Sequence, residues 1–247
     1  MRQRLFRLTC ICSLVGCSGG FRPSQYSSPQ ELFTVSEERF RRGDCGGAAR
    51  GFSRVTTQLP VRDSLGMRAR FLLAECHIAK SEFREAASQF RRVANEAPTH
   101  PLAQHALLRA GDSQVRLWKQ AELDPTYGEA AKVTYFEVIA RYPRTVVSNR
   151  ASHKLVALAE RFAEKAYKNG NHYFRLKATL SAILYYKAVV RDYGVTSYAP
   201  LALVKLVDAY ILLDYKEERR ETCLNLHRFY PDAPRLDEVC PAEGGMP

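Results

Sequence analysis

The sequence predicts an all-α chain, a right-handed superhelical solenoid of about five helical hairpins. Three observations predict it. A small residue, a bulky residue four positions on and a helix breaker eight positions after that recur along the chain: Ala48–Phe52–Pro60, Ala86–Phe90–Pro98, Ala131–Tyr135–Pro143 and Ala182–Tyr186–Gly194. A fifth copy, Arg219–Cys223–Pro231, keeps the spacing with other side chains. The copies follow one another at an irregular period of roughly 34 to 50 residues, the mark of stacked helical pairs. No stretch shows the apolar alternation of a strand. Four residues is one helical turn, so the small and bulky side chains share a face. The breaker lacks an N–H or favours a turn and so ends the helix.

The chain divides into residues 1–16, 17–29, 30–231 and 232–247. Arg2, Arg4 and Arg7 form a charged start, and Leu8 to Val15 is an apolar run too short to span a bilayer. Leu14-Val15-Gly16-Cys17 resembles a bacterial lipobox, in which cleavage precedes the cysteine and its thiol is acylated. Each buried methylene contributes about 0.8 kcal/mol, and two or three chains anchor where one does not. The mature protein is therefore expected to sit on a membrane through Cys17 without crossing it. Ser18 follows where an aspartate marks inner-membrane retention in such lipoproteins, which points to the outer membrane. Residues 17–29, rich in Gly, Ser and Pro, read as a tether.

Helices follow from Pro29, a good first-turn residue. The first hairpin is predicted over 29–42 and up to residue 58, with Gly43-Asp44 as its turn. The second takes 64–80 and 83–97. The third takes 102–122 and, after Asp124-Pro125, continues to Tyr142. The fourth takes an unusually long 148–175, in which Gly170-Asn171 could bend or break the helix, and 178–193. The fifth takes 198–213 and 216–229. The polar tail from residue 232 is expected to be loose.

The formal charge is +11, and the chain stays basic without the three arginines of the leader. Export argues against nucleic acid as the partner, and no Lys/Arg run exceeds two residues, so the charge reads as solvated helix faces. Cys45, Cys76, Cys223 and Cys240 would mature in an oxidising compartment. Residues equidistant from a turn face each other in an antiparallel pair. That geometry favours Cys45–Cys76 about Pro60 and Cys223–Cys240 about Pro231, against four free thiols. The six histidines make no ligand pair at metal spacing, and no phosphate loop or nucleophile motif is present. No catalytic residue, cofactor or metal is expected.

Several stretches, in this order, carry a family resemblance. They are Cys17, Pro98-Thr99-His100-Pro101, Asp124-Pro125 to Tyr142-Pro143, Lys154-Leu155-Val156, Arg161-Phe162-Ala163, Tyr173-Phe174 and Arg191-Asp192-Tyr193. From residue 31 to residue 231 the chain resembles the BamD (YfiO/ComL-type) family, tetratricopeptide lipoproteins of the outer-membrane β-barrel assembly machine. Gly194 in place of proline, Pro200 and the extra cysteines depart from it. The resemblance implies a periplasm-facing scaffold that binds the barrel insertase, other assembly lipoproteins and unfolded outer-membrane proteins. Tetratricopeptide logic exposes four positions of each first helix on a concave wall. Those are Gln30, Phe33, Glu37 and Phe40, then Arg68, Phe71, Glu75 and Ile78, then Gln104 and Leu107. Phe33, Phe40 and Phe71 read equally as helix–helix core. An adaptor for cell-wall or secretion machinery is the rival function.

Overall fold

The computed structural model describes residues 21–60 and 62–241. Cys17, the apolar leader and the end of the tail lie outside the described residues. After a 3-10 turn at Pro23–Gln25 come α1 (Pro29–Arg41), α2 (Cys45–Gln58), α3 (Ser64–Ala79) and α4 (Phe83–Glu96). Then follow α5 (Pro101–Leu117), α6 (Thr126–Arg141), α7 (Val146–Arg175) and α8 (Thr179–Asp192). Last are α9 (Tyr198–Leu213), α10 (Lys216–Phe229) and the short α11 (Leu236–Val239). Each helix packs on the next in sequence. The backbones of the odd-numbered helices also approach the next odd-numbered helix, from α1 to α9, whereas those of the even-numbered helices lie farther apart, α4 and α6 being bridged by long side chains such as Arg91 to Glu137 and Arg141 to the Ala94 carbonyl. A stack tight along one row of helices and open along the other curves towards the tight row. The odd-numbered helices therefore form the inner wall of a helical solenoid.

The recurrent pairs sit at the centre of this stack. Ala48, Phe52, Ala86, Phe90, Ala131, Tyr135, Ala182 and Tyr186 are all buried. In the third and fourth hairpins the ring lies over a glycine of the preceding inner helix, because nothing larger fits. A Cβ on Gly111 would meet the Tyr135 ring at 2.5 Å, and one on Gly170 would meet the Tyr186 ring at 2.5 Å. Gly170 is thus a packing surface, and α7 runs unbroken through it over 30 residues. The helix starts at Thr145, whose hydroxyl accepts from the Ser148 amide while Ser148 accepts from the Thr145 amide. Asp44 and Asp63 cap α2 and α3 by accepting from the amides of Gly47 and Gly66.

One turn closes four of the hairpins. Gly43, Ser81, Lys177 and Asp214 all take left-handed backbone, at φ 82, 61, 60 and 54°. The residue after each returns its N–H to the helix just left, as in Asp44 to Arg39, Glu82 to His77, Ala178 to Tyr173 and Tyr215 to Tyr210. Only the first uses glycine, so the turn is largely hidden from a reading by residue type. The third hairpin departs from the pattern. Its α5 stops at Leu117, five residues short of the predicted end, because Trp118 turns inward. The indole is buried, 4.8 Å from the Phe162 ring, against the bare face of Gly128. The loop that follows is held by basic residues of α7: Arg161 donates to the Trp118 carbonyl and Lys165 to those of Glu122 and Leu123.

Both ends are more ordered than expected. Phe21, read as tether, is buried against Tyr26 and beneath the Arg39 guanidinium. The tail folds back as α11, burying Leu236, Val239 and Cys240. Cys240 is bonded to Cys223 of α10. The expected Cys45–Cys76 bond is not formed: both thiols are free. They are neighbours, and burial first, then the proximity of Cys45, pushes the Cys76 thiol up to about 12. Placing the two by symmetry about Pro60 found the contact and not the bond.

Candidate protein-binding groove

The inner wall has its own repeat. The residue after each small packing position is a carboxylate or an amide: Ser36-Glu37, Ala74-Glu75, Gly111-Asp112, Gly170-Asn171 and Val207-Asp208. One helical step turns this second residue from the hairpin interface to the inner wall. In the first four it reaches across to the next inner helix or back to a neighbouring ring, whereas Asp208 pairs with Lys205 of its own helix and Arg235 of the tail. Glu37 of α1 accepts from Arg68 of α3 at 3.3 Å. Glu75 of α3 takes the Arg109 fork of α5 with both oxygens, one contact at 2.7 Å. Asp112 of α5 is 2.9 Å from the Lys154 ammonium of α7. Asp112 and Asn171 also accept from the hydroxyls of Tyr135 and Tyr186, at 2.8 and 2.7 Å. The wall is therefore a ladder of charge pairs crossing from helix to helix.

Its electrostatics follow from partial burial. Glu75 and Asp112 are about four-fifths shielded from solvent, so their pairs are screened less than surface ion pairs. The hydrogen bond to Glu75 holds the Arg109 guanidinium above its usual range, against the opposing cost of burial. Burial, with Asp112 beside it, pushes the Tyr135 phenol far above the usual range, so it remains a donor to that carboxylate.

Between α3, α5 and α7 the ladder borders a cavity of about 340 Å³. Its floor is apolar, from Ile78, Val115 and Leu158, and its rim carries Arg116, Lys154 and Arg161. The cavity has room for one large side chain. An extended segment laid along the wall would meet charge pairs at intervals and one apolar seat. Among the described residues no group of three or more His, Cys, Asp or Glu side chains is placed to hold a metal ion. No described helix is long and apolar enough to cross a membrane.

The residues singled out from the sequence divide three ways. Arg68 and Glu75 lie on the wall in the ladder, with the Arg68 guanidinium 4.9 Å over the Phe33 ring. Phe33 is buried core against Phe52, and Phe40 and Phe71 are half-buried on Phe52 and Phe90. Their rings fill the hairpins and present little to a ligand. Leu107 is fully buried, and Gln104 is half-buried with its side-chain oxygen enclosed and unpartnered. The third inner helix was thus counted one residue out of phase, a rotation of about 100°. Counted from Gly111, its wall positions are Asp112 and Val115, both of which border the cavity. The glycine and the ring over it are sixteen residues apart in the fourth hairpin, Gly170 and Tyr186, and twenty-four in the third, Gly111 and Tyr135, where the Trp118 loop intervenes. Asp112, Lys154 and Arg161 were missed. The small-then-acidic dipeptide was the signal that could have found the first.

The match to known proteins covers most of the chain. The family model described as "YfiO: Outer membrane lipoprotein" matches residues 25–225. The outer membrane protein assembly factor BamD of Caulobacter vibrioides is 27% identical over 234 residues, covering 91% of this chain and 76% of that protein. The BamD of Rickettsia prowazekii is 23% identical over 186 residues, covering 75% and 74%. Among solved structures, TTC0263, a tetratricopeptide protein of Thermus thermophilus, is 16% identical with a TM-score of 0.39, covering 85% of this chain and 96% of that one.

Proposed function

Because the chain belongs to the YfiO family of outer-membrane lipoproteins, we propose that it is a lipid-anchored scaffold of outer-membrane β-barrel assembly. It is held at the periplasmic face of the outer membrane through Cys17. Its concave wall receives unfolded outer-membrane proteins and another surface binds the barrel insertase and companion lipoproteins. The observation that carries this reading is the family match running through all the inner helices that build the wall. The chemistry of the wall supports it. A stack of helices with paired charges and one apolar seat suits holding a polypeptide. Extraction of the tagged chain in mild detergent, followed by mass spectrometry, tests the reading. The insertase and other assembly lipoproteins are expected to co-purify. Recovery of cell-wall or secretion proteins alone would replace this role with that of a different adaptor. Cys17→Ser is expected to move the chain from the membrane to the soluble fraction, and a variant that stayed membrane-bound would refute the anchor.

A further inference from the structure

The rim of the groove cavity holds two cations that the ladder leaves over. Arg109 is taken by Glu75 and Lys154 by Asp112. Arg116 of α5 and Arg161 of α7 have no carboxylate in ion-pair reach among the described residues. Each is held instead on an aromatic ring. The Arg116 guanidinium lies 4.9 Å over Phe83, and that of Arg161 lies 4.5 Å over Trp118 while donating to the Trp118 carbonyl. Stacking fixes the plane of a guanidinium and leaves edge donors to hydrogen-bond a planar oxyanion. Ile78, Val115 and Leu158 lie beside them, so part of the water that would compete for those donors is excluded. Two oriented cations next to an apolar seat, on a wall whose other charges are matched, are complementary to a carboxylate beside an apolar side chain.

We propose that the cavity seats one apolar side chain of an extended client segment and that Arg116 and Arg161 bind an acidic side chain of that segment. This deepens the scaffold reading and rests on it. The inner wall continues on both sides of the cavity, through α1 and α9. A segment can therefore run through the site, which favours a side-chain carboxylate over a chain terminus. The inference gives the groove a preference within its clients, for an aspartate or glutamate near a large apolar residue.

Fluorescence anisotropy with short acetylated, amidated peptides tests it. One peptide carries a central phenylalanine with glutamate two residues on, the same side of an extended chain. A second carries glutamine in place of the glutamate. A third keeps the glutamine and ends in a free carboxylate at the phenylalanine. With the full chain, the glutamate peptide is expected to bind about tenfold more tightly than the glutamine peptide, the scale of a charged hydrogen-bonded pair. In R116Q and in R161Q that preference should shrink, and in the double variant it should vanish. R116Q guards against misreading a folding defect at Arg161, and thermal melts followed by circular dichroism check both. Equal binding of the first two peptides, or a preference that survives the double variant, overturns the inference. Tightest binding by the third peptide overturns the choice of an acidic side chain and assigns the cations to a chain terminus. Failure of the scaffold reading appears elsewhere, as absence of the insertase from the detergent extract while the peptide preference persists.

Discussion

Gly170→Ala is expected to destabilise the protein, although alanine is the better helix former. In an open helix the change would be worth about 0.5–1 kcal/mol in favour of alanine. Here the new methyl would stand 2.5 Å from Tyr186 Cε1, inside the fully packed fourth hairpin. Overpacking of this kind costs about 1–3 kcal/mol, because the ring or helix must shift. The ring has little room to move: it is fully buried, and its hydroxyl donates to Asn171 on the same helix at 2.7 Å. Tyr186→Ala should cost more, about 3–5 kcal/mol, by leaving a cavity between α7 and α8. The two changes should couple with reversed sign. With the ring gone, Gly170→Ala has nothing to strike, and its helix propensity should make it neutral or stabilising. Denaturation by urea of the wild type, both single variants and the double variant completes this cycle. A stabilising Gly170→Ala in the wild-type background would show that the glycine–ring contact does not set the spacing of the hairpins.

Breaking the Cys223–Cys240 disulfide should cost about 3 kcal/mol, and the loss should be confined to one end of the molecule. The bond closes a sequence separation of 17 residues, for which chain entropy gives a stabilisation of this order. In a solenoid each hairpin leans mainly on its neighbours, so damage at an end spreads little. The last hairpin also has the least to lean on. Among the described residues α10 packs mainly on α9, with α11 beside it, and its buried residues are Thr222 and Leu226. Its role as outer wall of the last repeat thus depends on α11 being held against it. The double variant C223S/C240S should lose amide protection across 216–240 by hydrogen exchange and keep it in α3 to α7. Uniform loss along the whole chain would contradict the hairpin-by-hairpin description of its stability.

The hairpins were legible because their cause is local. A small residue one turn from a ring, followed by a breaker, is written in consecutive positions, and Ala86–Phe90–Pro98 can be understood without knowing its neighbours. What could not be read depends on partners distant in sequence. Gly170 looks like a helix breaker until Tyr186 is placed over it. Trp118 looks like one more helical residue until Gly128 and Phe162 make a slot for its ring, and that slot ends α5 five residues short of the predicted end. Position counting puts Gln104 and Leu107 on the wall, one residue out of phase with Asp112 and Val115, which border its cavity. The turns at Ser81, Lys177 and Asp214 hide for another reason: stacking imposes a left-handed conformation that their side chains do not advertise. The aromatic rings proposed for the wall show the limit of counting positions. Phe33 and Phe71 stand at the right numbers, yet their size draws them into the hairpin interior beside Phe52 and Phe90. The charged residues counted with them, Arg68 and Glu75, stay on the wall because burying an ion is costly unless it is paired. The ladder supplies those pairs.

Site-specific photo-crosslinking to an unfolded outer-membrane β-barrel client tests the scaffold account most directly. A photoreactive residue at Ile78 or Val115, on the floor of the groove, should crosslink the client. The same residue at Val133 or Leu184, exposed on the outer helices α6 and α8, should not. Crosslinks from the outer positions, with none from the groove, would contradict it.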